Sequence, residues 1–254
     1  MRLGFGSSRL HLMPFESDRR RLIWDALDLG IAHFDTSPFY GYGLAEKALG
    51  AALQGRRDVS ITTKVGLYAP AGASDHFVSI AMRKAVGRLI ARTSRPVADY
   101  KPQMAERSLE KSLRALRVER VDFLLLHEPR VTRAESDDLI AWVLRATERG
   151  MVRAWGVAAE AELCSRLIED DPRWGSTVQT GAGKGWEAAE RLRRTGVAIH
   201  FLYGALRENL EPTTGSPGAV IAEAMARFPE CTVLASTRQG DRLRQLALAA
   251  RKET

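Results

Sequence analysis

The chain has 254 residues, of which 45% are hydrophobic and 27% charged, the composition of an ordinary globular protein. Its longest apolar runs are strand-sized, so no membrane span is expected, and Met1-Arg2-Leu3-Gly4 lacks the apolar core of a secretory signal. The formal charge of +7 suits an anionic partner, either nucleic acid or a phosphorylated cofactor.

A strand–helix alternation can be followed along the chain. Leu3–Gly6 reads as a short first strand, and Ser17 is the expected N-cap of a helix running to Leu29. Gly30 supplies a left-handed stop before a strand at Ala32–Thr36. Ala45–Leu53 is a helix closed by Gly55, and Val59–Val65 is a third strand. Gln103–Leu116 reads as an amphipathic helix with Leu109, Leu113 and Leu116 on one face. Val121–His127 is the fourth strand, Ser136–Arg149 its helix, and Gly150 the stop. The second half repeats the rhythm. Arg153–Ala158 is a strand, Glu162–Glu169 a helix, Thr177–Thr180 a strand, Trp186–Arg194 a helix and Gly196 a stop. Val197–Leu202 (strand), Ala219–Phe228 (helix), Cys231–Ser236 (strand) and Asp241–Arg251 (helix) complete the series.

This alternation is the pattern of a single α/β domain over residues 1–254, a (β/α)8 TIM barrel. An open doubly wound sheet is the alternative, and the even spacing of the units favours closure. Residues 66–102 break the rhythm. This extended loop after the third strand is expected at the catalytic face, because it is too long for an ordinary connection. Ser79–Arg92 within it reads as a helix anchored by Ile80, Val86, Leu89 and Ile90, either a lid or a cover for the barrel rim. Arg83, Lys84, Arg88, Arg92, Arg95 and Lys101 concentrate positive charge there, which reads as a solvated face. No nucleic-acid motif with interleaved aromatics accompanies it, so no nucleic-acid partner is expected. Cys164 and Cys231 have no paired spacing, so no metal site is expected, and a reducing cytoplasm is the default.

Three consecutive strands each deliver an ionisable group at their carboxyl end, where barrels carry their chemistry. These are Asp35, Lys64 and His127, with Tyr40 one short turn after Asp35. A free tyrosine has a pKa near 10 and donates protons poorly at neutral pH, and a neighbouring ammonium would bring that value down. Lys64 is the available ammonium and Asp35 the group that could hold it. Neutral His127 can donate a hydrogen bond to a carbonyl. Together they make a proton-delivery site for an oxygen that gains negative charge, which fits carbonyl reduction. Singly, each has a plainer role, as turn cap, buried aromatic, surfacing lysine or strand terminator. In order on successive strands, they argue for chemistry.

At these residues the sequence resembles the aldo-keto reductase family. The likeness rests on Phe34-Asp35-Thr36-Ser37-Pro38-Phe39-Tyr40-Gly41 with Gly43 and Glu46, on Thr63-Lys64, on Ser108-Leu109 through Leu116, and on Val121 through His127. The resemblance implies a (β/α)8 barrel and reversible, nicotinamide-dependent reduction of aldehydes and ketones. It makes Tyr40 the general acid, tuned by Lys64 and Asp35, with His127 orienting the carbonyl. It also implies cofactor contacts from Gly6, Ser7, Asp35, Gln179 and Phe201, with Tyr203 a rival for the stacking ring. Ser236, Thr237, Arg238 and Arg242 resemble the phosphate-binding turn and short helix after the last strand. Arg242 would read the 2′-phosphate of NADPH; a surface arginine is its other reading.

Departures from the family pattern are also legible. Ala158-Ala159 stands where Ser-Asn usually meets the carboxamide, Thr180-Gly181 follows Gln179 in place of aromatic-Asn, and Ser236 occupies a frequent lysine position. The chain also ends just after its eighth helix, so a truncated C-terminal segment is expected. The resulting expectation is an NADPH-dependent reductase of a small-molecule carbonyl substrate, with NADH as the other cofactor. A sugar (aldose) dehydrogenase and a reductase-like, cofactor-binding regulatory protein are the rivals, and the oligomeric state is left open.

Overall fold

The computed structural model describes residues 2–70, 75–87, 96–210 and 215–252. Strands β1 (Leu3–Gly6), β2 (His33–Asp35) and β3 (Ser60–Val65) come first, separated by helices α1 (Glu16–Asp28) and α2 (Leu44–Leu53). After β3, two short strands, β4 (Leu67–Tyr68) and β5 (Val97–Ala98), flank α3 (Phe77–Gly87). The alternation resumes with α4 (Pro102–Leu116), β6 (Val121–His127), α5 (Arg133–Glu148), β7 (Val152–Ala159) and α6 (Ala161–Asp170). It ends with β8 (Val178–Gly181), α7 (Glu187–Arg194), β9 (Phe201–Tyr203), α8 (Ala205–Asn209), α9 (Pro217–Arg227), β10 (Thr232–Ala235) and α10 (Gly240–Lys252).

The ring order β1-β10-β9-β8-β7-β6-β3-β2 closes on itself, and every pair in it is parallel. This is a (β/α)8 barrel, and the open-sheet alternative is excluded. Closure follows from the strands themselves. Phe5, Phe34, Leu124, Val157, Val178 and Val233 are buried, as expected where a sheet is covered on both faces. Within the barrel, Phe201 stacks on His33 at 4.5 Å between centroids and meets Phe123 edge-on at 5.0 Å.

The expected boundaries hold with local corrections. Ser17 does not cap α1: it lies inside the helix, which starts at Glu16 after Phe15 with no side-chain cap. α5 begins at Arg133 because Thr132 and Glu135 form a reciprocal capping box, a signal present in the sequence upstream of the expected start. The ninth strand is shorter than Val197–Leu202, although the amide of His200 still donates to the Val178 carbonyl at 2.9 Å. α8 is an additional short helix on the rim. Gly30, Gly55, Gly150 and Gly196 all take positive φ at the expected stops.

In the 66–102 segment, β4 and β5 pair antiparallel, and α3 covers part of the expected helix; residues 88–92 lie outside the described ones. The Tyr100 hydroxyl donates to the carbonyls of His127, at 3.2 Å, and Glu128, at 2.8 Å, which pins the end of the excursion to the carboxyl end of β6.

Candidate active site

The barrel delivers its chemical residues where its strands end. Asp35 closes β2, Lys64 stands one residue before the end of β3, and His127 closes β6. Tyr40 opens a tight turn, Tyr40–Gly43, in which Gly41, Tyr42 and Gly43 have φ of 62°, 57° and 101°. Gly41 is required twice over, by that φ and because a Cβ there would stand 2.5 Å from the Cβ of His11. Tyr42 is a non-glycine residue in the left-handed region, a strain that persists only where its surroundings hold it. Here its ring is buried against Leu44, Ile80 and Phe39.

Lys64, 2% exposed, donates to Asp35 Oδ1 at 2.7 Å and to the Thr36 carbonyl at 2.9 Å. Gln179 Nε2 reaches the same Asp35 oxygen at 2.9 Å. The ammonium stands 5.1 Å from the centre of the Tyr40 ring, which meets the His127 ring edge-on at 6.2 Å. These four groups and Gln179 line one cleft of about 590 Å³ at the mouth of the barrel.

Electrostatics assign a state to each group. Loss of hydration pulls the Lys64 pKa down, but Asp35 and Tyr40 outweigh it, so the ammonium persists. Burial and the Lys64 charge hold His127 down at about 3, so its imidazole is neutral at physiological pH. The expectation for Tyr40 is corrected in sign. Burial raises its pKa, and the opposing pull of Lys64 does not overcome it, so the phenol stands above its ordinary value and is protonated. Ser37 Oγ accepts from the Phe39 amide at 3.3 Å and lies 3.5 Å from His127 Nδ1.

The residues expected to hold cofactor divide. Gly6, Asp35, Gln179, Ser236, Thr237 and Arg242 all line the cleft. Ser236 donates to the Gly6 carbonyl at 2.8 Å and lies 3.2 Å from Ser8 Oγ, tying the ends of β1 and β10 together. Ser7 is buried beside this rim, its hydroxyl without a partner, and does not line the cleft. Phe201 does not line it either, because its side chain points into the barrel and stacks on His33; Tyr203, two residues on and at the end of β9, is the aromatic in the wall. Arg238 is exposed and also outside the lining.

Arg9, Glu128, Glu160 and Arg207 line the cleft and were not anticipated. The signal was available for Glu128 and Glu160, which directly follow the ends of β6 and β7. No described residue of the 66–102 excursion lines the cleft; the far wall comes from β9 and α8. Glu46, part of the opening motif, lies behind β3 and accepts from Thr63 Oγ1 at 2.7 Å. Among the described residues no cluster of His, Cys, Asp and Glu could hold a metal, and no helix is long and apolar enough to cross a membrane.

A family model for the aldo/keto reductases matches residues 2–171. The chain belongs to the aldo/keto reductase family. A D-threo-aldose 1-dehydrogenase from a Pseudomonas species is 32% identical over 176 residues, covering 62% of this chain and 49% of that protein. The L-galactose dehydrogenase of Arabidopsis thaliana is 30% identical over 133 residues, covering 50% of this chain and 34% of that one. The matched stretches therefore span about half and about a third of these two relatives. Among solved structures, an aldo-keto reductase from Bacillus halodurans in its holo form superposes with a TM-score of 0.75 at 19% identity, covering 98% of this chain and 86% of that one. That likeness concerns the fold.

Proposed function

We propose that this aldo/keto reductase is an NAD(P)H-dependent oxidoreductase that interconverts a small-molecule carbonyl and its alcohol, with NADPH as the preferred cofactor. The observation that carries this reading is Lys64, buried as an ammonium between Asp35 and Tyr40, with neutral His127 in the same cleft. A nicotinamide, when bound, supplies or accepts the hydride. The chain's own residues manage the proton. His127 donates a hydrogen bond to the substrate oxygen and fixes its position. Tyr40 transfers its proton to that oxygen as negative charge develops, and Lys64 stabilises the phenolate left behind. Asp35 keeps Lys64 charged and in place.

The cleft suits such a cofactor. Gln179 Oε1 is buried in its wall without a partner and fits an amide donor. At the other end, Arg242 and the hydroxyls of Ser236 and Thr237 gather where α10 begins, a setting that favours phosphate. Arg9 adds a further positive charge to the same rim.

The names of the two relatives favour a second reading, oxidation of a sugar as an aldose dehydrogenase. The same residues serve it in reverse, with the Tyr40 phenolate accepting the proton. The cofactor-binding regulatory protein remains the reading without turnover, and Ala158 and Ala159 at the end of β7 speak for it. A panel of aldehydes and ketones with NADPH, and of sugars with NADP+ and NAD+, separates all three. Turnover of carbonyls supports the reductase, and turnover of sugars alone the dehydrogenase. Tight cofactor binding with neither reaction would sink the catalytic proposal.

A further inference from the structure

The charged rim of the cleft is divided by the topology of the barrel. β1 and β10 are neighbours in the ring, and β6 and β7 lie diametrically across from them. Arg9, just after β1, and Arg242, after β10, stand on the first side with the hydroxyls of Ser8, Ser236 and Thr237. Glu128 and Glu160, directly after β6 and β7, stand on the second, and Arg207 on α8, after β9, lines the cleft between the two sides with its guanidinium paired to Glu208. A cofactor with its phosphates on the basic side leaves the acidic side to the substrate.

Glu128 is held there by its backbone. Its φ of 48° is left-handed for a non-glycine residue, a strain maintained only by firm surroundings. Its amide donates to the Ala158 carbonyl at 2.8 Å, and its own carbonyl receives the Tyr100 hydroxyl at 2.8 Å. Among the described residues no hydrogen bond or ion pair engages its carboxylate. Glu160 accepts from the Tyr203 hydroxyl at 3.2 Å. Burial, followed by the like charge of Glu160, raises the Glu128 pKa, and Arg130 does not offset them. A bound hydrogen-bond donor would relieve that electrostatic cost. The buried, unpartnered Gln179 Oε1 marks the cleft independently as a place where a ligand binds.

We propose that Glu128, supported by Glu160, determines substrate specificity: it favours neutral, polyhydroxylated carbonyl compounds and excludes anionic ones, such as phosphorylated sugars and keto acids. Substrate hydroxyls make charge-assisted hydrogen bonds to carboxylates, whereas an anion there meets two like charges. The inference rests on the carbonyl–alcohol reaction proposed above.

The test compares glyceraldehyde with glyceraldehyde 3-phosphate under saturating NADPH. The expected preference in kcat/KM for the neutral aldehyde is about tenfold or more, expressed in KM. Glu128→Gln should narrow that gap by improving the phosphorylated substrate, with Glu160→Gln as the second variant, and NADPH affinity by fluorescence titration should stay unchanged in both. Equal use of the two aldehydes by the wild type, or a gap that neither variant alters, overturns the inference while leaving the reaction intact. Failure to reduce either aldehyde, with NADPH bound, counts against the reaction. Calorimetric titration of the NADP+-loaded protein then decides the specificity by itself. Tighter binding of xylitol than xylonate supports it, and equal binding or a preference for xylonate overturns it.

Discussion

In the proposed mechanism, replacing Tyr40 by phenylalanine removes the oxygen that carries the transferred proton. An ordinary phenol is already protonated at neutral pH, burial raises the Tyr40 pKa further, and the ring lies beside the ammonium that would stabilise the product phenolate. A positioned general acid contributes about 10²–10⁴-fold, equivalent to about 2.7–5.4 kcal/mol of barrier at about 1.36 kcal/mol per decade. Little else should change. The phenylalanine ring keeps its contact with His127, and Lys64 keeps its bonds to Asp35 and the Thr36 carbonyl. Steady-state NADPH oxidation, NADPH fluorescence titration and a thermal melt measure the three consequences. Turnover should fall at least about a hundredfold, with cofactor affinity and melting unchanged. Wild-type turnover in Tyr40→Phe would remove Tyr40 from the mechanism, and a parallel loss of NADPH affinity would make its role structural. The raised pKa also predicts a reduction rate that stays flat through neutral pH and falls only above about 10, where the phenol loses its proton. The reverse oxidation, which needs the phenolate, should rise over the same range.

Asp35→Asn strands the Lys64 ammonium in the interior, and breaking such a pair costs about 3–5 kcal/mol; urea unfolding should show it, and a loss near zero would mean that Lys64 readily gives up its charge. Arg242→Ala should weaken NADPH about 10- to 100-fold in a fluorescence titration, the worth of a charge-assisted contact, and spare NADH; equal weakening of both would show that another residue reads the 2′-phosphate. Gly50→Ala, which helix propensity alone would favour by about 1 kcal/mol, should instead destabilise the protein, because its Cβ would stand 2.1 Å from the Ala115 carbonyl oxygen; a higher melting temperature would refute that packing argument. Burial and Lys64 hold the buried His33 at about 3, against 6.5 when free. The unfolded chain therefore binds the extra proton, and stability present above pH 6.5 should decline towards pH 3 by up to about 1.4 kcal/mol per pH unit. His33→Gln should flatten that decline in urea titrations across the window; an identical slope in the variant would assign it elsewhere.

The sequence by itself determined the alternation of strands and helices, and with it the barrel. Runs such as Val121–His127 and stops such as Gly30 and Gly150 are local signals that survive tertiary packing. Asp35, Lys64 and His127 of the proposed site were legible for the same reason, since a polar residue at the end of an apolar strand has to emerge at one end of a parallel barrel, and Tyr40 follows Asp35 by one short turn. Tertiary structure decided what depends on closure. Phe201 and Tyr203 sit two residues apart on one strand and therefore share a face; Phe201 lies deeper in the barrel, against His33 and Phe123, and Tyr203 at the strand's end reaches the cleft wall. The direction of the Tyr40 shift needed the balance of burial against Lys64, two effects of opposite sign that spacing cannot weigh. Glu128 and Arg9 acquired meaning only when the ring order set β6 and β7 across the mouth from β1 and β10, because which charges face one another is a property of the closed sheet.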